Sequence, residues 1–318
     1  MALYFITGIA GFIGSSLAHA VLAQGDQVRG VDNFATGKPE NIADIHNQID
    51  FREADLLDLS SLHDACRGVD YIFHEAAIPS VPKSVLDPLT SNRVNVDGTV
   101  HLLIAARDAK VKRVIYAASS SAYGDTPTLP KHEEMLPNPI SPYAVAKLTG
   151  EHYMRSFYRC YGLETVSLRY FNIFGPRQDP SSPYSGVLAK FITQMLKGEQ
   201  PTIFGDGTQS RDFTYIDNAV NANLLAAKAP AAQVAGQIFN VATGTRYDLN
   251  QAFHLLKKII GYVGAVNYEP ERHGDVKHSL ADLTHAEKYL GYSPHLSFEE
   301  GLRLTVEWYR RQMRAAQA

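Results

Sequence analysis

Short apolar and β-branched runs recur along the first half of the chain. Between them, apolar positions return every three or four residues. The runs LYFIT (3–7), QVRGVD (27–32), IDFREAD (49–55), VDYIFHEA (69–76), RVIYAAS (113–119) and ETVSLRY (164–170) read as strands. Residues 11–24, 87–109 and 142–161 carry helical periodicity. Strands alternating with amphipathic helices predict a parallel sheet covered by helices on both faces, joined by right-handed crossovers.

The rhythm changes after residue 170. GPRQDPSSPYSG (175–186) is a loop by composition, and a helix over 187–197 and a short strand near 201–204 follow. GDGTQSRD reads as a loop, DFTYIDNAVNANLLAAKA as a strand entering a helix, and QIFNVAT (237–243) as one more strand. The remainder alternates helices with short strands, without repeats or low-complexity tracts. The expected fold is α/β, a Rossmann-type doubly wound parallel sheet with a smaller mixed α/β C-terminal lobe. Residues 1–170 plus about 212–244 would form the nucleotide domain, and about 171–211 plus 245–318 the lobe. The site is expected between them.

Composition narrows the class. With 318 residues, 45% hydrophobic, the chain can bury a large core, and its net charge of −3 offers no basic surplus for nucleic acid. Two cysteines, Cys66 and Cys160, cannot build a disulfide framework. The N-terminus runs straight into the first strand without a secretory signal pattern, and no apolar run approaches the roughly 18 residues a membrane span needs. A soluble cytoplasmic enzyme is expected, with neither membrane, nucleic acid nor metal as partner.

Candidate chemistry begins at ITGIAGFIGSSL, where Gly8, Gly11 and Gly14 lie between the first strand and the first helix. Glycines there permit a tight turn and let backbone approach a pyrophosphate at a helix N-terminus. The spacing is G-x-x-G-x-x-G and not G-x-G-x-x-G, so an ordinary glycine-rich turn competes with a dinucleotide site. Asp32 favours the second reading. It ends the second strand 18 residues after Gly14, where an acid accepts ribose hydroxyls and repels a 2′-phosphate, selecting NAD over NADP. Asp55 and Leu56 follow the third strand and could meet adenine, although an aspartate is also ordinary at a strand end.

Two further stretches sit at strand ends. AASSSAYGD supplies Ser119, Ser120 and Ser121 without a G-x-S-x-G elbow. SPYAVAKL places Tyr143 and Lys147 one helical turn apart. A tyrosine titrates near 10 and is a poor base at neutral pH. A neighbouring ammonium and an oxidised nicotinamide would lower that value and make Tyr143 a general base. Taken alone, the pair is equally a chance helical neighbourhood.

Together TGIAGFIG, SSSAYG, SPYAVAK and LRYFNIFGPRQ resemble the extended short-chain dehydrogenase/reductase superfamily. Within it the chain resembles the NAD-dependent nucleotide-sugar 4-epimerases, from residue 3 to about 310. The glycine spacing is that superfamily's own variant. The resemblance implies that Tyr143 is the base, that Lys147 holds the ribose and lowers the tyrosine pKa, and that Ser120, with Ser119 next in preference, bonds the sugar 4-hydroxyl. Cofactor contacts would come from Phe12 and Ile13 beside the glycines, from Asn33, Thr36 and Gly37 after Asp32, and from Ala76 and Ala77 in HEAA. Asn95 would support the cofactor side and Tyr170 would touch nicotinamide.

The resemblance also implies a UDP-sugar substrate. Asn172, Arg211 and Arg272 would grip the diphosphate, Asp275 the uridine ribose, and Ile203 and Phe204 the uracil. Ser80, Val81, Ser121, Val187 and Ser279 would line the remainder. Taken singly, the arginines read equally as surface ion pairs and Asp275 as a turn residue. Related 4,6-dehydratases carry an Asp-Glu pair where this chain has Ser121 and Ala122, and related glucuronate decarboxylases a Glu, so an epimerase is favoured over both. A non-catalytic NAD sensor would have lost Tyr143 or Lys147. Ser279, four positions after Asp275, is small, and SVPKSVLDP (80–88) resembles the loop of N-acetylhexosamine epimerases. UDP-GlcNAc and UDP-GalNAc are therefore expected substrates, with UDP-Glc and UDP-Gal beside them. Relatives pair through a four-helix bundle made by the segments matching 87–109 and 142–161. Val100, Leu103, Ile104, Met154 and Phe157 suit either such a homodimer interface or the core.

Overall fold

All six strands expected from the apolar runs form, four with the expected bounds and the third and fourth shortened at both ends. They are β1 Leu3–Thr7, β2 Gln27–Asp32, β3 Asp50–Glu53, β4 Tyr71–His74, β5 Arg113–Ser119 and β6 Glu164–Tyr170. The computed structural model describes residues 1–180, 186–271 and 276–315. The strands pair in parallel in the order β3-β2-β1-β4-β5-β6, and Gln237–Val241 adds a seventh parallel strand outside β6. Strand order reverses between β1 and β4. In such sheets the crevice at the carboxyl ends of the two reversing strands is the natural ligand site.

Alternation along each strand explains the two covered faces. Tyr4 and Ile6 of β1, with Ile115 and Ala117 of β5, join one buried cluster with Leu17 and Val21 of the helix Phe12–Ala23. Phe5, Val114 and Tyr116 point the other way, onto Leu102, Leu103, Met154 and Phe157. Leu103, Met154 and Phe157 are thus core residues, whereas Val100 and Ile104 are only partly covered.

The single helix expected over 87–109 is segmented. Val81–Leu86 and Pro88–Asn92 are separate helices, and a π-helical turn, Arg93–Asp97, leads into Gly98–Asp108. Asp87 caps the second piece by accepting from Thr90 N at 3.0 Å, and Pro88 has no N–H to continue the helix before it. Leu59–Ala65 is a further helix not anticipated from the sequence, capped by Asp58.

Beyond β6, three small pairings form. Ile173–Phe174 runs parallel to Thr214–Tyr215, Ser210–Arg211 antiparallel to Tyr247–Asp248, and Thr202–Phe204 parallel to Asn267–Glu269. GDGTQSRD is therefore part strand. Helices Val187–Leu196, Leu249–Ile260 and Phe298–Ala315 pack on one another. The middle one begins in a capping box between Asp248 and Gln251 and ends at left-handed Gly261. No helix among the described residues is long and apolar enough to cross a membrane.

Candidate active site

The chain turns immediately after β1. Gly8 has φ +69°, and a Cβ there would stand 2.8 Å from Ala76 Cα. A Cβ on Gly14 would lie 2.2 Å from the Gly8 carbonyl oxygen, and one on Gly11 3.0 Å from the same atom. Side chains at these positions would force apart the turn, the helix and the β4 exit. Helix Phe12–Ala23 starts at Gly11 with no side-chain cap and no acid in its first turn. Its N–H groups and positive dipole end therefore remain available, a cradle that fits a dinucleotide pyrophosphate. Phe12 and Ile13 on the helix side, and Ala76 and Ala77 on the β4 side, are half-buried.

Asp32 is buried at the end of β2. Ala10 N donates to its Oδ2 at 2.9 Å and Phe34 N to its Oδ1 at 2.8 Å. Burial pushes its pKa up, opposed by these backbone donors. A Cβ on Gly37 would reach within 2.7 Å of the carboxylate, so the aspartate braces its own loop. Asn33 Nδ2 donates to Asp55 Oδ2 at 2.8 Å, tying the exits of β2 and β3 together. Thr36 is exposed beside them, and Leu56 is buried against Gly98.

β5 delivers the serine triplet. Ser119, still extended at φ −142°, ends the strand, and a 3₁₀ turn begins at Ser120. Ser121 donates to Ser119 Oγ through its N–H at 3.2 Å and its hydroxyl at 2.8 Å. Ser119, second in preference to Ser120 from the sequence, is the serine whose side chain acts on the Tyr143 hydroxyl and lowers its pKa. The tyrosine is set by the start of helix Pro142–Tyr161. Ser141 caps it by accepting from Ala144 N, and Pro142 opens it.

Lys147 lies one turn further on, buried, with Nζ 2.8 Å from the Ala117 carbonyl and 4.9 Å from the Tyr116 ring centroid. Burial pulls its pKa down to about 8, while Glu75 and Glu151 oppose that shift. Burial also raises the Tyr143 pKa, the Ser119 hydrogen bond lowers it, and the charge of Glu75 raises it. The Lys147 ammonium is directed to Ala117, and desolvation dominates.

A hydrogen-bonded relay backs the site. Thr7 Oγ1 and His74 Nδ1 are 2.8 Å apart, His74 Nε2 is 2.9 Å from Thr99 Oγ1, and Thr99 donates to the Asn95 carbonyl at 2.8 Å. Because the Thr99 hydrogen is committed to Asn95, His74 must donate from Nε2 and accept at Nδ1. Asn95 Oδ1, from inside the π turn, accepts from Ile78 N at 2.8 Å and pins the loop after HEAA. Tyr170 donates to Glu75 Oε1 at 3.0 Å and accepts from Asn223 Nδ2 at 2.7 Å. Glu75 and Asn223 did not emerge as site residues from the sequence. The signal for Glu75 was an acid directly after a buried strand. Nothing singles out Asn223 within its helix.

On the far wall, Asn172, held at φ +41°, donates from Nδ2 to the Asp212 carbonyl and to Ser279 Oγ, both at 3.2 Å. Ser279 N donates to the Ser210 carbonyl at 3.0 Å, and Arg211 Nη1 donates to the carbonyls of Ser210 and Lys277. Asn172, Arg211 and Ser279 are thus gathered around one short strand. Ile203 is fully buried in the main core, in register with Tyr268 of the paired strand, while Phe204 is half-buried. Ser80 caps Val81–Leu86 through Lys83 N, with Val81 exposed at the first helical position. Ser84 Oγ accepts from Tyr143 N at 3.0 Å and couples that loop to the tyrosine. Val187 opens its helix. Arg272 and Asp275 lie outside the described residues.

Residues 4–242 match the model of the NAD dependent epimerase/dehydratase family. A UDP-glucose 4-epimerase of Mycolicibacterium smegmatis is 39% identical over 310 residues, 96% of this chain and 97% of that protein. Among solved structures, the UDP-glucose 4-epimerase of Thermotoga maritima with UDP-glucose superimposes with a TM-score of 0.93 at 40% identity, covering 98% of this chain and 99% of that one. The UDP-N-acetylglucosamine 4-epimerase of Methanobrevibacter ruminantium M1, in complex with UDP-N-acetylmuramic acid, gives 0.93 at 41% identity, with the same two coverages, 98% and 99%.

Proposed function

The chain belongs to the NAD-dependent epimerase/dehydratase family, and from that premise we propose that it inverts C4 of a UDP-hexose. The observation that carries this reading is the contact between the Tyr143 hydroxyl and Ser119, one helical turn from buried Lys147 and with no carboxylate in the serine triplet. The glycine cradle and Asp32 would hold NAD, which would supply a reversible hydride acceptor for C4. Tyr143 removes the 4-hydroxyl proton, and Ser119 hydrogen-bonds that hydroxyl. Lys147 supplies positive charge beside the tyrosine and holds the cofactor ribose. The 4-keto sugar would turn about its phosphate linkage so that its other face meets the cofactor side, and Tyr143 would return the proton to the 4-oxygen. Ser121 and Ala122 offer no group to expel water from the sugar, which disfavours dehydration.

The UDP moiety is assigned to the cluster of Asn172, Arg211 and Ser279, with residues 171–211 and 245–318 forming its lobe. NAD is assigned to 1–170 and 212–244. Small Ser279 supports N-acetylhexosamines as substrates alongside the plain hexoses. Exposed Val85, Leu86, Leu89, Ile140 and Val145 form an apolar face around the two helices expected to pair, which supports a second copy of the chain as its partner.

Proton NMR of the purified protein with each UDP-hexose tests the proposal. Anomeric signals should interconvert between gluco and galacto forms for both N-acetylated and plain sugars. Release of water or carbon dioxide in place of interconversion would overturn it.

A further inference from the structure

Glu75 occupies an unusual position for a carboxyl group. It follows β4 directly, at the carboxyl end of a strand flanking the switch point. One oxygen, Oε1, accepts from Tyr170 at 3.0 Å, and Tyr170 is itself held by Asn223 at 2.7 Å. The other oxygen, Oε2, is buried without a hydrogen-bond partner, as is Asn223 Oδ1. An uncompensated buried carboxylate oxygen is costly and is kept where charge serves a task.

The pairing of His74 with Tyr116 brings the β4 exit beside Ala117, whose carbonyl accepts from Lys147 Nζ at 2.8 Å. The groups that Glu75 acts on there are Tyr170 on β6 and Tyr143 and Lys147 on helix Pro142–Tyr161. The adjacent His74 turns to Thr7 and Thr99 and stays neutral, and Glu151 acts on Lys147 from its own helix. Asn223, on helix Ile216–Lys228, contributes only a dipole. Lys147 also acts on His74, and the field of Tyr116 includes both Tyr143 and Glu151.

Resting on the reading of Tyr143 as the base, we propose that Glu75 is a positioning residue of the active site. Its carboxylate, anchored by Tyr170, places one negative charge against the Tyr143–Lys147 pair and so sets the pH range in which that pair works. The charge favours the Lys147 ammonium and disfavours the Tyr143 phenolate. Burial raises the Glu75 pKa to about 7, so this charge develops across the neutral range.

Glu75→Gln separates charge from structure, because the amide oxygen still accepts from Tyr170. Two readouts apply to the NAD-loaded protein. Tyr143 ionisation is followed as the tyrosinate absorbance difference against Tyr143→Phe in the same background, and the pH profile of kcat is measured beside it. The Gln variant should ionise Tyr143 about one pH unit lower, and its profile should move the same way. Glu75→Asp, which keeps the charge, should stay near the wild type. A Tyr143 midpoint unmoved in a folded Gln variant would overturn the proposal. Glu75→Met removes charge and acceptor together and carries the same prediction if the Gln variant does not fold. A wild-type protein that turns over no UDP-hexose would sink the underlying reading instead, whatever the titration shows.

Discussion

Asn172 donates from its side-chain amide to Ser279 Oγ at 3.2 Å, bridging the exit of β6 and the segment that follows residues 272–275. The serine is both small and an acceptor, so its size and its hydroxyl can be tested apart. Ser279→Tyr is expected to lower kcat/KM for UDP-GlcNAc by about tenfold or more relative to UDP-Glc, because a ring added to a pocket wall excludes the larger C2 substituent. Equal losses on both substrates would rule out a role in sugar selection. Ser279→Ala removes one of the two acceptors of the Asn172 amide, leaving the Asp212 carbonyl, and should instead change KM for both sugars alike.

Tyr143→Phe removes the hydroxyl facing Ser119 and leaves the glycine cradle and Asp32 intact. NAD released from the denatured variant should match the wild type mole for mole. Turnover should fall about 10²- to 10⁴-fold, the range for losing a general base. A variant that turns over normally would move the proton-transfer role elsewhere.

His74 makes a pH prediction. Burial holds its pKa down at about 3 against an ordinary 6.5. The unfolded chain therefore takes up a proton that the folded chain refuses. The stability this histidine allows is complete above pH 6.5 and is lost as pH falls toward about 3, at about 1.4 kcal/mol per pH unit. Urea unfolding at roughly pH 7.5 and pH 5.5 should show a steeper loss for the wild type than for His74→Gln, by about 1 kcal/mol. Parallel losses would mean that His74 is protonated in the folded protein.

Arg169 and Glu151 form a buried two-pronged ion pair, with Nε–Oε1 at 2.9 Å and Nη2–Oε2 at 2.8 Å. Arg169 also lies over the Tyr123 ring. Glu151→Ala leaves a buried guanidinium without its counter-charge and should destabilise the fold by about 3–5 kcal/mol. A loss below about 1 kcal/mol in chemical denaturation would show that water reaches the arginine.

These residues differ in how far the sequence revealed them. The parallel sheet was legible through strands with an apolar run, such as residues 114–118 of β5, whereas β3, with the sequence DFRE, gives a weaker signal. Gly8, Gly11 and Gly14 were legible because one turn dictates their spacing, and Asp32 because it ends the next strand. The π turn around Asn95 was not, since apolar periodicity continues across it while the hydrogen-bond register slips. The sequence ranked Ser120 before Ser119 without access to the backbone, in which Ser119 stays extended and Ser120 opens a 3₁₀ turn. The pairing of Ser210–Arg211 with Tyr247–Asp248 joins two-residue strands far apart in the chain, too short to leave a pattern. The Glu75–Tyr170–Asn223 chain joins three elements, and each residue is unremarkable in its own segment.

The strand Gln237–Val241 closes the outer edge of β6. During synthesis β6 is complete at Tyr170, yet its neighbour is finished only at Val241. At ordinary elongation rates the intervening stretch takes roughly 4 to 14 s to emerge. Over that interval the β6 edge is an unpaired strand inside an otherwise assembled sheet, open to pairing with another nascent chain. Chains interrupted between these two strands should therefore enter aggregates, while chains extended past the seventh strand should stay in solution.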